Sequence, residues 1–82
     1  MEMKVVLEIP IDDLRHVIAL LRSHLSAKPK KIKRSVIDSK NCLVTFIVKD
    51  FNTPAEIEEL IDILSYNKLL HNVVLIEEGD SL

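Results

Sequence analysis

One glycine, Gly79, stands in the whole chain. Phosphate-cradling loops and dinucleotide folds need several glycines to bring backbone close to a ligand, so both are excluded. Aromatic residues are almost as scarce: Phe46, Phe51 and Tyr66, with no tryptophan. The core must then be built from valine, isoleucine and leucine. Cys42 is the only cysteine. No disulfide can form within the chain, and a lone cysteine fits a reducing compartment as a small buried hydrophobe. Long apolar runs are missing too. The longest, Val17 to Leu21, has five residues, against roughly 20 for a membrane-spanning helix. Glu2 and Glu8 interrupt the first ten residues, which lack the apolar stretch of a signal peptide. A cytoplasmic protein with no membrane contact is expected.

What is present fits one small domain over residues 1–82. Met3 to Ile9 alternates with period two, the mark of a strand, and Pro10 ends it. Asp12 and Asp13 suit a helix's first turn, and Leu14, Val17, Ile18, Leu21 and Leu25 then form one apolar stripe. Pro29 closes that helix. Ile32 to Asp38 and Cys42 to Lys49 read as a hairpin around the polar turn Asp38-Ser39-Lys40-Asn41. Thr53-Pro54-Ala55-Glu56 is a capping box, opening a helix with Ile57, Leu60, Ile61 and Leu64 on its buried side. Asn67 stops it, Asn72 to Glu77 is a last strand, and a short polar tail follows. The expected fold is α+β and ferredoxin-like: βαββαβ, a four-stranded antiparallel sheet with both helices on one face.

That arrangement leaves a sheet face without helices. Leu43, Thr45 and Ile47 should point to it from the third strand and Val6 from the first. The fourth strand should add Val74 and Ile76, or else Val73 and Leu75. A face built only to meet water would be more polar, so self-association as a homodimer, or docking on another protein, is expected there.

Catalytic groups are not apparent, and no enzyme, cofactor or metal is expected. His16 and His24 lie eight residues apart on one helix, two turns from a shared ligand. Cys42 opens a strand, away from any helix terminus that would activate it. Asp12-Asp13 and Glu58-Glu59 are sequence neighbours that diverge by about 100° on a helix. Charge is near balance, with 11 Lys+Arg against 13 Asp+Glu and a formal net charge of -2. Lys28, Lys30, Lys31, Lys33 and Arg34 nevertheless crowd one short stretch. They would hold phosphates, or keep an outer strand from aggregating. Modules of this fold that read RNA stack bases on aromatic residues of the central strands, and Phe46 is the only one here, which argues against nucleic acid. The terminal Asp80-Ser81-Leu82 would suit a carboxylate-binding groove.

The stretches Val44-Thr45-Phe46-Ile47-Val48-Lys49-Asp50, Ile57-Glu58-Glu59-Leu60-Ile61-Asp62-Ile63-Leu64 and Val73-Val74-Leu75 carry a resemblance. In apolar spacing, over about residues 4 to 76, the chain resembles ACT-type regulatory domains and the small stand-alone YbeD-like bacterial proteins. The resemblance implies a regulatory or protein-interaction module, commonly dimeric. It also implies a small-molecule effector at Ile11, Asp12 and Asp13. ACT domains that bind amino acids place a glycine in that turn, whereas this chain has Pro10.

Overall fold

A computed structural model describes residues 2–49 and 53–79, and of Thr53 the backbone alone. Along the chain run β1 (Glu2–Pro10), a 3-10 turn (Ile11–Asp13), α1 (Leu14–His24), β2 (Lys30–Val36), β3 (Asn41–Lys49), α2 (Thr53–Tyr66) and β4 (Asn72–Gly79). The protein is α+β, with two helices and one antiparallel sheet ordered β2-β3-β1-β4. No helix among the described residues is long and apolar enough to cross a membrane. Asp80-Ser81-Leu82, the proposed carboxylate tail, lies outside the described residues.

Alternation in the two central strands sets the core. Met3, Val5, Leu7 and Ile9 of β1, with Cys42, Val44, Phe46 and Val48 of β3, are all buried in one cluster. Val17 and Leu21 of α1 and Ile57, Leu60 and Leu64 of α2 belong to the same cluster, so both helices cover that side of the sheet. Ile61, expected in the buried stripe of α2, is only partly covered and packs against the cluster's margin.

Asp12 and Asp13 stand in the 3-10 turn, and Asp13, although it precedes α1, makes no capping hydrogen bond through its side chain. Thr53, the other half of the expected capping box, has its side chain outside the described residues, and Glu56 reaches the end of α1. Its carboxylate accepts the Ser26 backbone N–H at 3.0 Å and the Ser26 hydroxyl at 2.7 Å. Ser26 follows the last turn of α1, so one carboxylate ties the start of α2 to the exit of α1. Charge-assisted bonds of this kind contribute roughly 1.5–3 kcal/mol when shielded and less at a half-exposed site. Glu56→Gln should lower stability by about 1 kcal/mol in urea unfolding, and Ser26→Ala should cost less when Gln already stands at 56.

The hairpin turn behaves as its residues dictate. Asp38 Oδ1 accepts the backbone N–H of Lys40 at 2.8 Å and of Asn41 at 2.9 Å, an Asx turn. These bonds, that of Lys40 foremost, hold the carboxyl below its ordinary range. A carboxyl whose folded pKa is depressed stabilises the fold above its unfolded value of 3.8. That contribution fades as pH falls through the lower folded value. Wild type and Asp38→Asn should therefore differ in stability at neutral pH and converge in strong acid, as followed by urea unfolding across pH.

Candidate functional site

The sheet face without helices is assembled row by row from the strand register. Running from β4 to β2, one row holds Glu77, Lys4, Ile47 and Lys30, and the next holds Leu75, Val6, Thr45 and Lys33. A third holds Asn72, Glu8, Leu43 and Ser35. Four of the expected interface residues, Val6, Leu43, Thr45 and Ile47, thus share the open face. Val6 is only 9% exposed.

The fourth strand divides the two expected alternatives, with Leu75 on the open face and Val73 and Ile76 on the helix side. The β1–β4 register shifts between Val6 and Leu7, so that Val6 faces Leu75 while Leu7 faces Val73. Val74 is the extra residue of that bulge. One inserted residue reverses side-chain parity beyond it. Ile76 consequently pairs with Val5 on the helix side, and Leu75 takes the open-face position. Val74, Leu75 and Ile76 are 49%, 36% and 44% exposed. The face is also more charged than its aliphatic positions alone suggest, since Lys4, Glu8, Lys30, Lys33 and Glu77 intersperse them.

The basic run is divided by a second irregularity. Lys30 faces Ile47 and Lys33 faces Thr45, so two β2 residues lie opposite Phe46 alone. Lys31 absorbs the extra length with a left-handed φ of 54°. Such a conformation is uncommon for a residue with a β-carbon. Lys30 and Lys33 are thereby turned to the open face. Arg34, opposite Val44, belongs to the helix side. Lys28 precedes the strand and is exposed.

Two grooves flank β2. On the open face, Lys4, Val6, Lys31, Lys33, Thr45 and Ile47 line a depression of about 400 Å³. On the helix side, Leu14, Arg15, Ile18, Ala19 and Arg22 of α1 and Arg34 of β2 line another of about 330 Å³. Sequence reading did not single out Arg15 and Arg22. They lie seven residues apart on α1, and only the fold brings Arg34 beside them.

The effector site implied at Ile11, Asp12 and Asp13 is less enclosed. Ile11 packs against the core and donates its N–H to the Lys40 carbonyl at 2.8 Å, Asp12 is exposed, and none of the three lines either groove. Burial pushes the Cys42 thiol up from its ordinary value, which keeps it protonated and a poor nucleophile. His24 Nε2 lies 3.4 Å from Glu59 Oε2, an ion-pair contact only when the imidazole is protonated. Among the described residues no three of His, Cys, Asp and Glu come together in a group able to hold a metal ion. Comparison with known protein families, curated proteins and solved structures returns no match to this chain.

Proposed function

We propose that this protein is a non-enzymatic interaction or regulatory domain that pairs with a second copy of itself through the open sheet face. The order β2-β3-β1-β4, with a helix between β1 and β2 and another between β3 and β4, supports reading the fold as ferredoxin-like βαββαβ.

The observation that carries the pairing is the distribution of charge across the rows. Glu77 lies at the β4 end of its row and Lys30 at the β2 end, with Ile47, Thr45, Val6 and Leu75 within the patch they bound. Consider two such faces stacked about a two-fold axis that runs along the strands between β1 and β3. Each β2 then lies over the other copy's β4. Glu77 meets Lys30 of the second copy, Lys4 lays its methylene stem over Ile47, and Val6 meets Thr45. A two-fold axis across the strands would instead oppose lysine to lysine. Aligned sheets pack about 10 Å apart, a gap that glutamate and lysine side chains reach across.

Light scattering at high protein concentration should report twice the chain mass, and a monomer there would overturn the reading. The geometry is tested separately by charge reversal. Glu77→Lys should weaken the dimer by about tenfold, as for a partly shielded ion pair, and Lys30→Glu added to it should restore the affinity.

The small-molecule alternative of ACT type places an effector near Ile11, Asp12 and Asp13. A thermal-shift screen of amino acids and nucleotides would support it through stabilisation that substitution of Asp12 or Asp13 abolishes. Nucleic-acid binding through Lys28 to Arg34 draws less support, because the register sends Lys30 and Lys33 to one side of the sheet and Arg34 to the other.

A further inference from the structure

We infer that the groove between α1 and β2 is a binding site for a small phosphate-bearing molecule, held by Arg15, Arg22 and Arg34. All three guanidinium-bearing residues line one groove of about 330 Å³. None of them has an ion-pair partner among the described residues. Acidic residues are plentiful in this chain; Glu56, Glu58, Glu59 and Asp62 lie on α2 and Glu77 and Glu78 on β4, while Asp12 and Asp13 stand in the turn just before Arg15 without forming an ion pair to it. The strand order sets β4 at the opposite edge from β2. Three like charges around one depression repel each other, and an anion between them removes that cost.

The residue type narrows the ligand. Guanidinium presents a planar fork of donors that matches two phosphate oxygens at once and is less strongly hydrated than ammonium. Arg15 and Arg22 are separated by seven residues, two helical turns, or about 10 Å along the axis. Arg34 reaches the groove from the strand, and its side of β2 is fixed by pairing with the core residue Val44. One phosphate would engage two of these groups. A chain of two or three phosphates would engage all of them. Leu14, Ile18 and Ala19 supply an apolar floor between the arginines, suited to the sugar or ring of the same molecule. The volume falls at the small end of ligand sites, about 300–1,000 Å³, which favours a single nucleoside polyphosphate over anything larger. This site lies on the helix side of the sheet and stays accessible when the open face is covered, so it does not depend on the pairing proposed above.

The test uses the full chain, with ATP and inorganic tripolyphosphate as probes. Titration at low ionic strength, followed by calorimetry and by backbone amide shifts, should show saturable binding with changes confined to α1 and β2. Tripolyphosphate should compete with ATP. Arg15→Gln and Arg34→Gln should each weaken binding by about tenfold, the loss expected for a charge-assisted hydrogen-bonded contact. Arg34→Lys should lose less, since it keeps charge but not the fork. All these side chains are exposed, and an unchanged thermal unfolding midpoint shows that each variant folds. Absence of saturable binding overturns the proposal. So does binding that survives Arg15→Gln and Arg34→Gln together but is lost with Lys4→Gln and Lys33→Gln, which would move the anion to the open face. Affinity for single-stranded oligonucleotides that exceeds that for ATP and rises with their length also overturns it, in favour of a nucleic-acid backbone.

Discussion

Replacing Phe46 with alanine is expected to remove a large part of the protein's stability. Phe46 sits at the middle of β3 with none of its surface exposed, facing both helices, and it is the largest side chain among those fully buried. Truncating a buried phenylalanine costs about 3–5 kcal/mol, part lost transfer energy and part cavity. A domain of this length holds roughly 4–12 kcal/mol in total at 0.05–0.15 kcal/mol per residue. Among the described residues the remaining core holds no second aromatic to collapse into the space. Urea unfolding of the alanine variant should show a midpoint shifted far toward lower denaturant, with the native baseline shortened. Phe46→Leu keeps most of the volume and should retain a cooperative transition, displaced by about 1–1.5 kcal/mol. If the alanine variant instead unfolded near the wild-type midpoint, the helix-side cluster would not be what holds the sheet to its helices.

The second large effect concerns assembly and leaves folding alone. Ile47→Lys is expected to weaken the proposed dimer by more than a hundredfold while the monomer stays folded. Ile47 lies on the open face between Lys4 and Lys30 in its row. A lysine there adds a third ammonium to a row that already holds two. In the stacked arrangement each Ile47 is covered by the Lys4 stem of the other copy, and both copies change together. Loss of two apolar contacts at about 1.5–3 kcal/mol each, with like charges brought together, exceeds the roughly 3 kcal/mol that a hundredfold change requires. Sedimentation measures the dissociation constant, and urea unfolding of the diluted monomer shows whether stability is retained. A variant that stays dimeric would place the contact elsewhere.

Much of this architecture was legible because period-two spacing marks β1 and β3 as strands. The structure buries Met3, Val5, Leu7 and Ile9 of β1 and Cys42, Val44, Phe46 and Val48 of β3, although Val6 is buried as well and both faces of β3 are apolar in the sequence. Pro29 separates α1 from β2 as expected, and α2 ends at Tyr66, just before Asn67. The misses have a common cause: a single residue inserted against a partner strand changes everything after it, and no local pattern announces it. The bulge at Val74 exchanged Ile76 for Leu75 on the open face. The left-handed Lys31 let β2 begin at Lys30, two residues before the apolar signal at Ile32. Glu56 illustrates a different limit. Its spacing from Thr53 matches a cap, but Ser26, thirty residues away, offers two donors that spacing along one helix does not reveal. The arginine groove is hidden for the same reason, since its third member comes from another element.

The two margins of the sheet are unequal. Along β2, lysines and the kink at Lys31 obstruct the approach of another strand, whereas β4 presents Val74, Leu75 and Ile76 uncharged. Accidental strand addition during folding is therefore one-sided. Two chains joined by their β4 margins carry a lysine-lined strand at each outer limit, so such an adduct stops at two members instead of seeding a growing fibril.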